Sequence, residues 1–352
     1  MSGIIETIGD RLGRWLVADG PEAGIVLSSR VRLARNLLNM VFAPKATPSE
    51  QKTVIDIVKK GVEKCSSPGA LNFIDFGTLD QRERHFLMES YAISREMALG
   101  DGEKALLLNP DHTLSVMVNE EDHVRIQSLR SGLQLRDAWQ GANAIDDELG
   151  QKLDFAFSDK WGFLTACPTN IGTGLRASAM VHLPALIMTR KISSAVQTVS
   201  KFGCAVRGLH GEGTDMMGDF FQVSNQATLG QDEDSLVGNV ERIASELVAQ
   251  ENRARQFLLE DNKRQMEDRI GRAIGILYKA RILGLEETMS LLSALRLGIC
   301  LGLVADYSVS LVNELMIRVQ PAHLEVFSGR ELDAVALDSL RADVVQKALS
   351  QH

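Results

Sequence analysis

Five arginines are the residues of this chain best suited to bind a phosphorylated ligand: Arg30, Arg32, Arg125, Arg176 and Arg207. Arginine stays charged, and its planar fork grips phosphate oxygens two at a time. Residues 160–211 contain Arg176 and Arg207 but no Asp or Glu, although the whole chain has a formal net charge of -8. Such a local cationic stretch indicates a polyanionic ligand, and we predict a nucleotide. For any single arginine, a solvated surface position is the ordinary alternative.

Carboxylates follow the arginines at two places. One is the segment Asn119-Glu-Glu-Asp-His123, and the other is Glu212 in a glycine-flanked turn after Arg207. A carboxylate beside a bound phosphate can orient a cationic acceptor and take its proton. The first cluster could instead be acids at a helix N-terminus. Cys167, before a Pro and a Gly-rich turn, is either a reactive thiolate among cations or an inert buried thiol.

Several common nucleotide and metal motifs are missing. The sequence has no Gly-Lys dipeptide and therefore no Walker A loop, and it has no His-Arg-Asp loop. Gly172-Thr-Gly-Leu-Arg-Ala177 fits a loose dinucleotide pattern, but no acid follows about 20 positions later to hold a ribose. His210 has no ligand-spaced partner, and the four cysteines lie far apart. We therefore predict no protein metal site.

The composition indicates an ordinary globular protein. The 352 residues suffice for two domains, and 45% are hydrophobic and 24% charged. The acidic balance argues against direct nucleic-acid binding. Charged residues near the N-terminus and the absence of a long apolar run argue against a signal peptide and a membrane span. With cysteine usage typical of a reducing compartment, these features predict a cytoplasmic protein.

The order of the elements is irregular rather than an alternation of strand and helix. Short apolar runs predict strands at residues 25–28, 105–108, 114–119, 163–167, 205–208 and 221–224. Periodic segments predict helices after Thr47 and over residues 123–139, 175–186 and 192–202, and nearly everything after Glu233. We predict an α+β fold with an antiparallel or mixed sheet flanked by helices. A boundary near 255 would separate a catalytic domain, residues 1–255, from a helical domain, residues 256–352.

Four ordered blocks resemble the phosphagen (guanidino) kinase family. They are Ser28-Ser-Arg-Val-Arg-Leu-Ala-Arg-Asn36, Asn119-Glu-Glu-Asp-His-Val-Arg125, Cys167-Pro-Thr-Asn-Ile-Gly-Thr-Gly-Leu-Arg-Ala-Ser178 and Arg207-Gly-Leu-His-Gly-Glu-Gly-Thr214. The chain is most similar to the bacterial protein-arginine kinase branch (McsB-like). Only 27 residues precede Ser28, whereas the kinases of small guanidines carry a helical domain there. The C-terminal helical part, with Gln320-Pro321, is also typical of the protein-arginine branch.

The resemblance implies ATP and Mg²⁺ as cofactors and assigns the site residues. Glu121 and Glu212 would align the acceptor guanidinium and one would act as base, with Cys167 against the reacting nitrogen. The implied nucleotide-binding residues are Ser28, Ser29, Arg30, Val31, Arg32, Arg125, Arg176, Ala177, Ser178, Ala179, Met180, Arg207, Gly208, Leu209, His210, Gly211 and Glu212. Tyr91 stands near the place of a histidine that contacts ATP in the family, and it could stack on adenine.

The function implied is ATP-dependent phosphorylation of arginine in proteins, which would mark them for degradation or regulate stress responses. The alternatives are a kinase for free arginine or another small guanidine, and a non-catalytic phosphoarginine-binding adaptor. The implied partners are protein substrates, a zinc-finger activator of the McsA type, the Clp protease system and a second copy of the chain in a homodimer. The branch usually has an Arg-Asp-x-x-Arg-Ala motif that binds phosphoarginine. Here Leu337 replaces its first arginine, and Asp338 and Arg341 would be left as the allosteric site.

Overall fold

A computed structural model describes residues 12–63, 65, 71–208 and 218–351. The strands are β1 (Val26–Arg35), β2 (Asn72–Asp75), β3 (Ala105–Leu108), β4 (Leu114–Val118), β5 (Val124–Ser131), β6 (Phe157–Ser158), β7 (Gly162–Phe163), β8 (Leu175–His182), β9 (Cys204–Gly208) and β10 (Phe220–Asn225). The helices are α1 (Pro48–Val62), α2 (Gln81–Glu89), α3 (Arg95–Leu99), α4 (Leu135–Gly150), α5 (Pro184–Met188), α6 (Ile192–Lys201), α7 (Glu233–Asp261), α8 (Lys263–Lys279), α9 (Leu285–Cys300), α10 (Val309–Arg318), α11 (Pro321–Ser328) and α12 (Ala334–Ser350).

Eight strands form one sheet in the order β2-β3-β4-β5-β1-β8-β10-β9. All neighbouring strands in this sheet run antiparallel. The long strand β1 lies near the centre, paired along most of its length with β5 and with β8. A separate hairpin is formed by β6 and β7. The predicted α+β fold is confirmed, and the sheet is antiparallel rather than mixed.

The two faces of the sheet carry different side chains. On one face, Val31 and Leu33 of β1 and Ala177 and Ala179 of β8 join a buried apolar core with residues of α4 and α7. Because side chains alternate along a strand, Arg30 and Arg32 lie on the opposite face. We call that opposite side of the sheet the arginine face. The apolar face therefore carries the main core, and the opposite face carries the arginines of the central strands.

Two predicted helices are wrong, because their residues form strands beside β1. Residues 124–131 are β5, where Val124 and Ile126 alternate with Arg125 and Gln127, and the helix α4 begins only at Leu135. Residues 175–182 form β8. A helix was predicted there because the leucine and alanines of this segment favour helices locally. The predicted strand at residues 163–167 is mostly irregular.

The other predicted elements agree with the structure within a few residues, except that β1 continues to Arg35. The predicted start of α1 is confirmed in detail, since Thr47 and Glu50 form a capping box.

The C-terminal helices pack beside the sheet through apolar and polar contacts. Leu129, Met180 and Phe220 of the sheet share a core with α9, α10 and α12. The fully buried Arg296 of α9 donates to the carbonyls of Ala23 and Gly24, at 2.7 and 3.0 Å. The predicted boundary near residue 255 falls inside α7, which runs unbroken to Asp261, and it stays a prediction. Within the described residues, no helix is both long and apolar enough to cross a membrane.

Candidate active site

The strand register brings arginines from three central strands together. Arg32 of β1 lies directly opposite Arg176 of β8, and Arg125 of β5 lies opposite Ala34 of β1. Directly opposed residues in antiparallel strands point to the same side of a sheet. The guanidinium groups of Arg30, Arg32, Arg125 and Arg176 therefore share the arginine face. All four lie within strands, although the predicted first strand ended at residue 28 and residues 125 and 176 fell in predicted helices.

A glutamine extends this array to the edge of the sheet. Gln222 of β10 lies between Met180 of β8 and Arg207 of β9 in the register, so that Arg207 shares the arginine face. The Gln222 Oε1 atom accepts a hydrogen bond of 2.9 Å from Arg30 Nη2. Gln222 was not predicted as a site residue, because it belongs to no motif in the sequence.

Crowding and burial disfavour the charged forms of Arg30 and Arg32. The pKa of Arg30 is lowered to about 10, mainly by burial; Arg125 and Arg176 act in the same direction, and Tyr91 and Glu96 in the opposite one. Burial and the same cationic neighbours hold the pKa of Arg32 well below its ordinary value. The Nε atoms of Arg32 and Arg125 are buried and have no hydrogen-bond partner in the described part of the chain. Such a site stabilises a polyanion that approaches the face.

Strand alternation limits which predicted residues can contact a ligand through their side chains. Ser28, Ser178 and Met180 share the arginine face and line a small cavity with Arg30. In contrast, Ser29, Val31, Ala177, Ala179 and Gly208 lie at positions of the opposite parity. Val31, Ala177 and Ala179 belong to the apolar core, and the Ser29 hydroxyl donates to Gly132 O at 2.8 Å. The predicted ligand contacts cannot come from these three apolar side chains or from the Ser29 side chain.

Tyr91 lies at one end of the arginine face. It lines the same small cavity as Arg30, and its ring meets Trp15 edge-on at 5.4 Å between centroids. Burial raises the pKa of Tyr91 to about 12, so that the phenol stays neutral. The backbone carbonyl of Tyr91 accepts from Gln127 at 2.8 Å. The two rings pack edge-on against each other in the wall of this cavity, and stacking of Tyr91 on adenine stays a prediction.

The first acidic turn forms an ion pair with the arginine face rather than capping a helix. Arg125 Nη1 donates to both oxygens of Glu120, at 2.7 and 2.6 Å, and Ser94 also donates to Glu120. Burial alone would raise the pKa of Glu120, but Arg125 and the hydrogen bonds outweigh it and lower that pKa. Glu120 is therefore an ionised anchor that holds Arg125 in place.

Glu121 and Cys167, the two described residues to which the resemblance assigns catalytic roles, lie within hydrogen-bonding reach of each other. Burial raises the pKa of Glu121 above its ordinary value, and the neighbouring Asp122 and Glu120 add to burial. Arg125, 3.8 Å away, and the Cys167 thiol act in the opposite direction. Asn170 Nδ2 donates to Glu121 Oε2 at 3.5 Å. A half-buried carboxylate with a raised pKa, beside a thiol and a cation, has the properties of a general base.

Asp122 fixes the turn that carries Cys167. Its Oδ1 atom accepts from Asn36 Nδ2 and from the backbone nitrogen of Ala166, each at 2.7 Å. These bonds connect β1, the acidic turn and the segment just before Cys167. On the far side of the turn, Gly172 has φ of 109°, and a Cβ there would lie 2.3 Å from Thr228 O. Only glycine fits, and the position of Cys167 relative to Glu121 is therefore well determined.

Some predicted residues lie elsewhere. Leu209, His210, Gly211 and Glu212 are outside the described residues, so the second carboxylate stays a prediction. The three lysines of the acid-free stretch are not part of the arginine face: Lys201 ends α6, Lys191 lies near Phe257 of α7, and Lys160 lies over Trp161. In the described ranges, no three His, Cys, Asp or Glu side chains are grouped to hold a metal.

The predicted allosteric residues have internal partners. Arg341 is 2% exposed and donates to Val319 O at 2.9 Å, to Leu283 O at 2.7 Å and to Asp338 Oδ1 at 2.5 Å. These bonds connect α12 to the C-terminal end of α10 and to the loop before α9. The geometry gives Arg341 a role in helix packing, and phosphoarginine binding there stays a prediction.

Comparisons with known proteins agree with this geometry. Residues 53–254 match the family model for the ATP:guanido phosphotransferase C-terminal catalytic domain. Residues 263–352 match that for the protein-arginine kinase McsB C-terminal domain. The protein-arginine kinase of Pelotomaculum thermopropionicum is 43% identical over 345 residues, which is 97% of either chain. That of Moorella thermoacetica is 43% identical over 344 residues, covering 97% of this chain and 98% of the relative.

Solved structures share the fold. The duplicated taurocyamine kinase of Schistosoma mansoni, with bound transition-state analogue components, superposes with a TM-score of 0.59 and 25% identity. The match covers 70% of this chain and 37% of that duplicated one. Lombricine kinase superposes with a TM-score of 0.58 and 23% identity, over 71% of this chain and 75% of its own. The family models and the full-length relatives show that the chain belongs to the ATP:guanido phosphotransferase (phosphagen kinase) family, in its protein-arginine kinase branch.

Proposed function

We propose that this chain transfers the γ-phosphoryl group of ATP to the guanidinium group of arginine residues in proteins. The observation that carries the proposal is that the arginine face adjoins the Glu121 and Cys167 turn. On that face, burial and neighbouring positive charges lower the pKa values of Arg30 and Arg32. One half of this site suits a triphosphate, and the other suits a cationic acceptor. The full-length relatives named protein-arginine kinase support the same reaction.

The nucleotide half would act by charge and orientation. A loose phosphoryl-transfer transition state spreads negative charge over the oxygens of the transferred group. Guanidinium groups held in place by the sheet, such as Arg32 and Arg176, neutralise that charge with little reorganisation. With the base at the Tyr91 end of the face, as the resemblance implies, the γ-phosphate would lie toward the acidic turn. Donor and acceptor would then meet near Arg125, which bonds to the acidic turn directly.

The acceptor half would supply the base. A guanidinium nitrogen is a poor nucleophile until it loses a proton, because its pKa is above about 12. In the proposed step a nitrogen lone pair attacks the γ-phosphorus, an N–P bond forms, and the bond from the β–γ bridging oxygen to that phosphorus breaks. The acceptor proton passes to a carboxylate, for which Glu121 is placed and Glu212 is the second candidate. ADP is the leaving group.

Mg²⁺ would arrive with the nucleotide. The described residues offer no carboxylate cage for it, and Mg²⁺ in such sites keeps phosphate and water ligands. When bound, it would neutralise charge on the phosphates. The finer predictions of a homodimer, a zinc-finger activator, a Clp protease partner and a cytoplasmic location are kept as hypotheses that follow from the family alone.

The test is to identify the acceptor chemically. The full chain is incubated with labelled ATP and an arginine-rich protein, and in parallel with free arginine. We expect acid-labile phosphoarginine in the protein, located by mass spectrometry under neutral conditions, and loss of the signal in Glu121→Gln. Transfer to free arginine alone would show a small-molecule kinase. Binding of phosphoarginine without any transfer would show an adaptor.

A further inference from the structure

An open groove adjoins the turn that carries Cys167. It has a volume of about 580 Å³ and is lined by the β6–β7 hairpin on one side and by the start of α7 on the other. Gly172 and Thr173, on the same turn as Cys167, form part of its wall. The Thr228 hydroxyl in the groove bonds to Thr169 O at 3.0 Å, and the Thr169 hydroxyl lies 3.0 Å from the Cys167 sulfur. The groove is therefore connected to the candidate active site by a short, hydrogen-bonded path.

The groove combines exposed apolar side chains with acids. Phe157, Trp161 and Leu229 are 54, 46 and 48% exposed, and all three line it. Exposed aromatic residues gathered in one concave site are typical of surfaces that bind a partner. Asp232 and Glu233 lie at the α7 end of the same groove. These two acids outnumber the single cation among the lining residues, Lys160. The Lys160 Nζ atom lies 4.7 Å from the Trp161 ring centroid.

We propose that this groove binds the polypeptide flank of the target arginine, preferring an apolar or aromatic side chain followed by a basic one. This inference rests on the proposed function, because an acceptor arginine held in a protein brings its neighbouring residues with it. The apolar part of the groove would bury the apolar side chain of the flank. Its acidic end complements a second positive charge. Only three residues separate the end of the β6–β7 hairpin from Cys167, so the groove adjoins the reacting centre along the chain.

The experiment compares Michaelis constants for two substrates of the same enzyme. The probe is a 15-residue peptide with one central arginine and with leucine, tyrosine and lysine in its flanks. In the full chain, the double substitution Trp161→Ala with Glu233→Gln should raise KM for this peptide about tenfold, with kcat within twofold and KM for ATP unchanged. A second peptide with glycine and serine flanks should show a high KM in both enzymes. The matched control is Phe257→Ala, since Phe257 is 47% exposed and far along α7.

The outcomes separate the two proposals. Absence of phosphoarginine in every protein and peptide with the unsubstituted enzyme would reject the proposed function, and the groove proposal with it. Normal transfer by that enzyme, with an unchanged peptide KM in the double variant, would reject the groove alone. A parallel rise in KM for ATP would show that the substitutions disturbed the Cys167 turn, and this also rejects the groove. A photoreactive benzoylphenylalanine in the leucine position should crosslink to residues 157–163 or 228–233, and crosslinks confined to other segments would contradict the assignment.

Discussion

Replacing Arg32 with methionine should make the protein without nucleotide more stable while it weakens ATP binding. The Arg32 guanidinium has Arg176 directly opposite and Arg30 two residues away on the same strand. Two like charges about 7 Å apart repel by about 2 kcal/mol at an effective dielectric constant of about 20. Glu120 offsets part of this repulsion, and solvent screens a half-buried group. We therefore expect a net gain of about 1 kcal/mol in the free energy of unfolding.

The same substitution removes charge-assisted hydrogen bonds to phosphate. Each bond to a charged group contributes about 1.5–3 kcal/mol, so the dissociation constant for ATP should rise roughly 10- to 150-fold. Thermal unfolding is measured with and without ATP for the unsubstituted protein and for Arg32→Met. The variant should unfold at a higher temperature alone and lose most of the upward shift caused by ATP.

Arg269→Met serves as the matched control, because Arg269 is an exposed arginine of α8. It should leave both temperatures almost unchanged. If Arg32→Met lowered stability without nucleotide and kept the full shift with ATP, the arginine would be a structural residue. The reasoning about a preformed polyanion site would then be refuted.

Three further substitutions test the acidic turn and the support of the Cys167 loop. Glu121→Gln should lower kcat by a factor of about 10²–10⁴ with little change in KM for ATP. In the unsubstituted enzyme, the rate should fall on the acid side with an apparent pKa above the ordinary carboxyl value of 4.5, because burial raises the pKa of Glu121. Glu120 has a lowered pKa in the folded state. Its contribution to stability should therefore be complete above about pH 4.5 and should disappear as pH falls through the pKa of the folded state. Urea titrations should show a flatter pH dependence of stability in Glu120→Gln, and parallel curves for the two proteins would contradict the pairing with Arg125. Asp146→Asn should lower the free energy of unfolding, measured by urea denaturation, by about 3 kcal/mol, because it leaves buried Arg35 without the carboxylate 2.7 Å away. A loss below about 1 kcal/mol would show that this pair is not important for the fold.

Much of the candidate site could be predicted because its residue types are unusual in their setting. Arg176 and Arg207 stood out from an acid-free stretch, and Glu121 and Cys167 belonged to blocks that resemble a known family. The structure adds the reason why distant arginines meet: antiparallel register places Arg125 and Arg176 beside β1. Register depends on long-range pairing, which local periodicity does not contain.

The failures have the same physical origin. β8 was predicted as a helix because its alanines favour helices locally, although its central position in the sheet requires small side chains that alternate with functional ones. Ser29 and Val31 were assigned to the nucleotide from a contiguous motif, whereas strand alternation sends them to the other face. Gln222 and Trp15 carried no motif, and only packing revealed them. Tertiary context decided each of these cases.

The most direct measurement is a crystal structure of the full chain with a non-hydrolysable ATP analogue and an arginine-containing peptide. We expect the guanidinium groups of Arg30, Arg32, Arg125, Arg176 and Arg207 to surround the triphosphate. The peptide arginine should lie between the γ-phosphate and Glu121. A triphosphate bound away from the arginine face, or an acceptor out of reach of Glu121, would contradict the proposed mechanism.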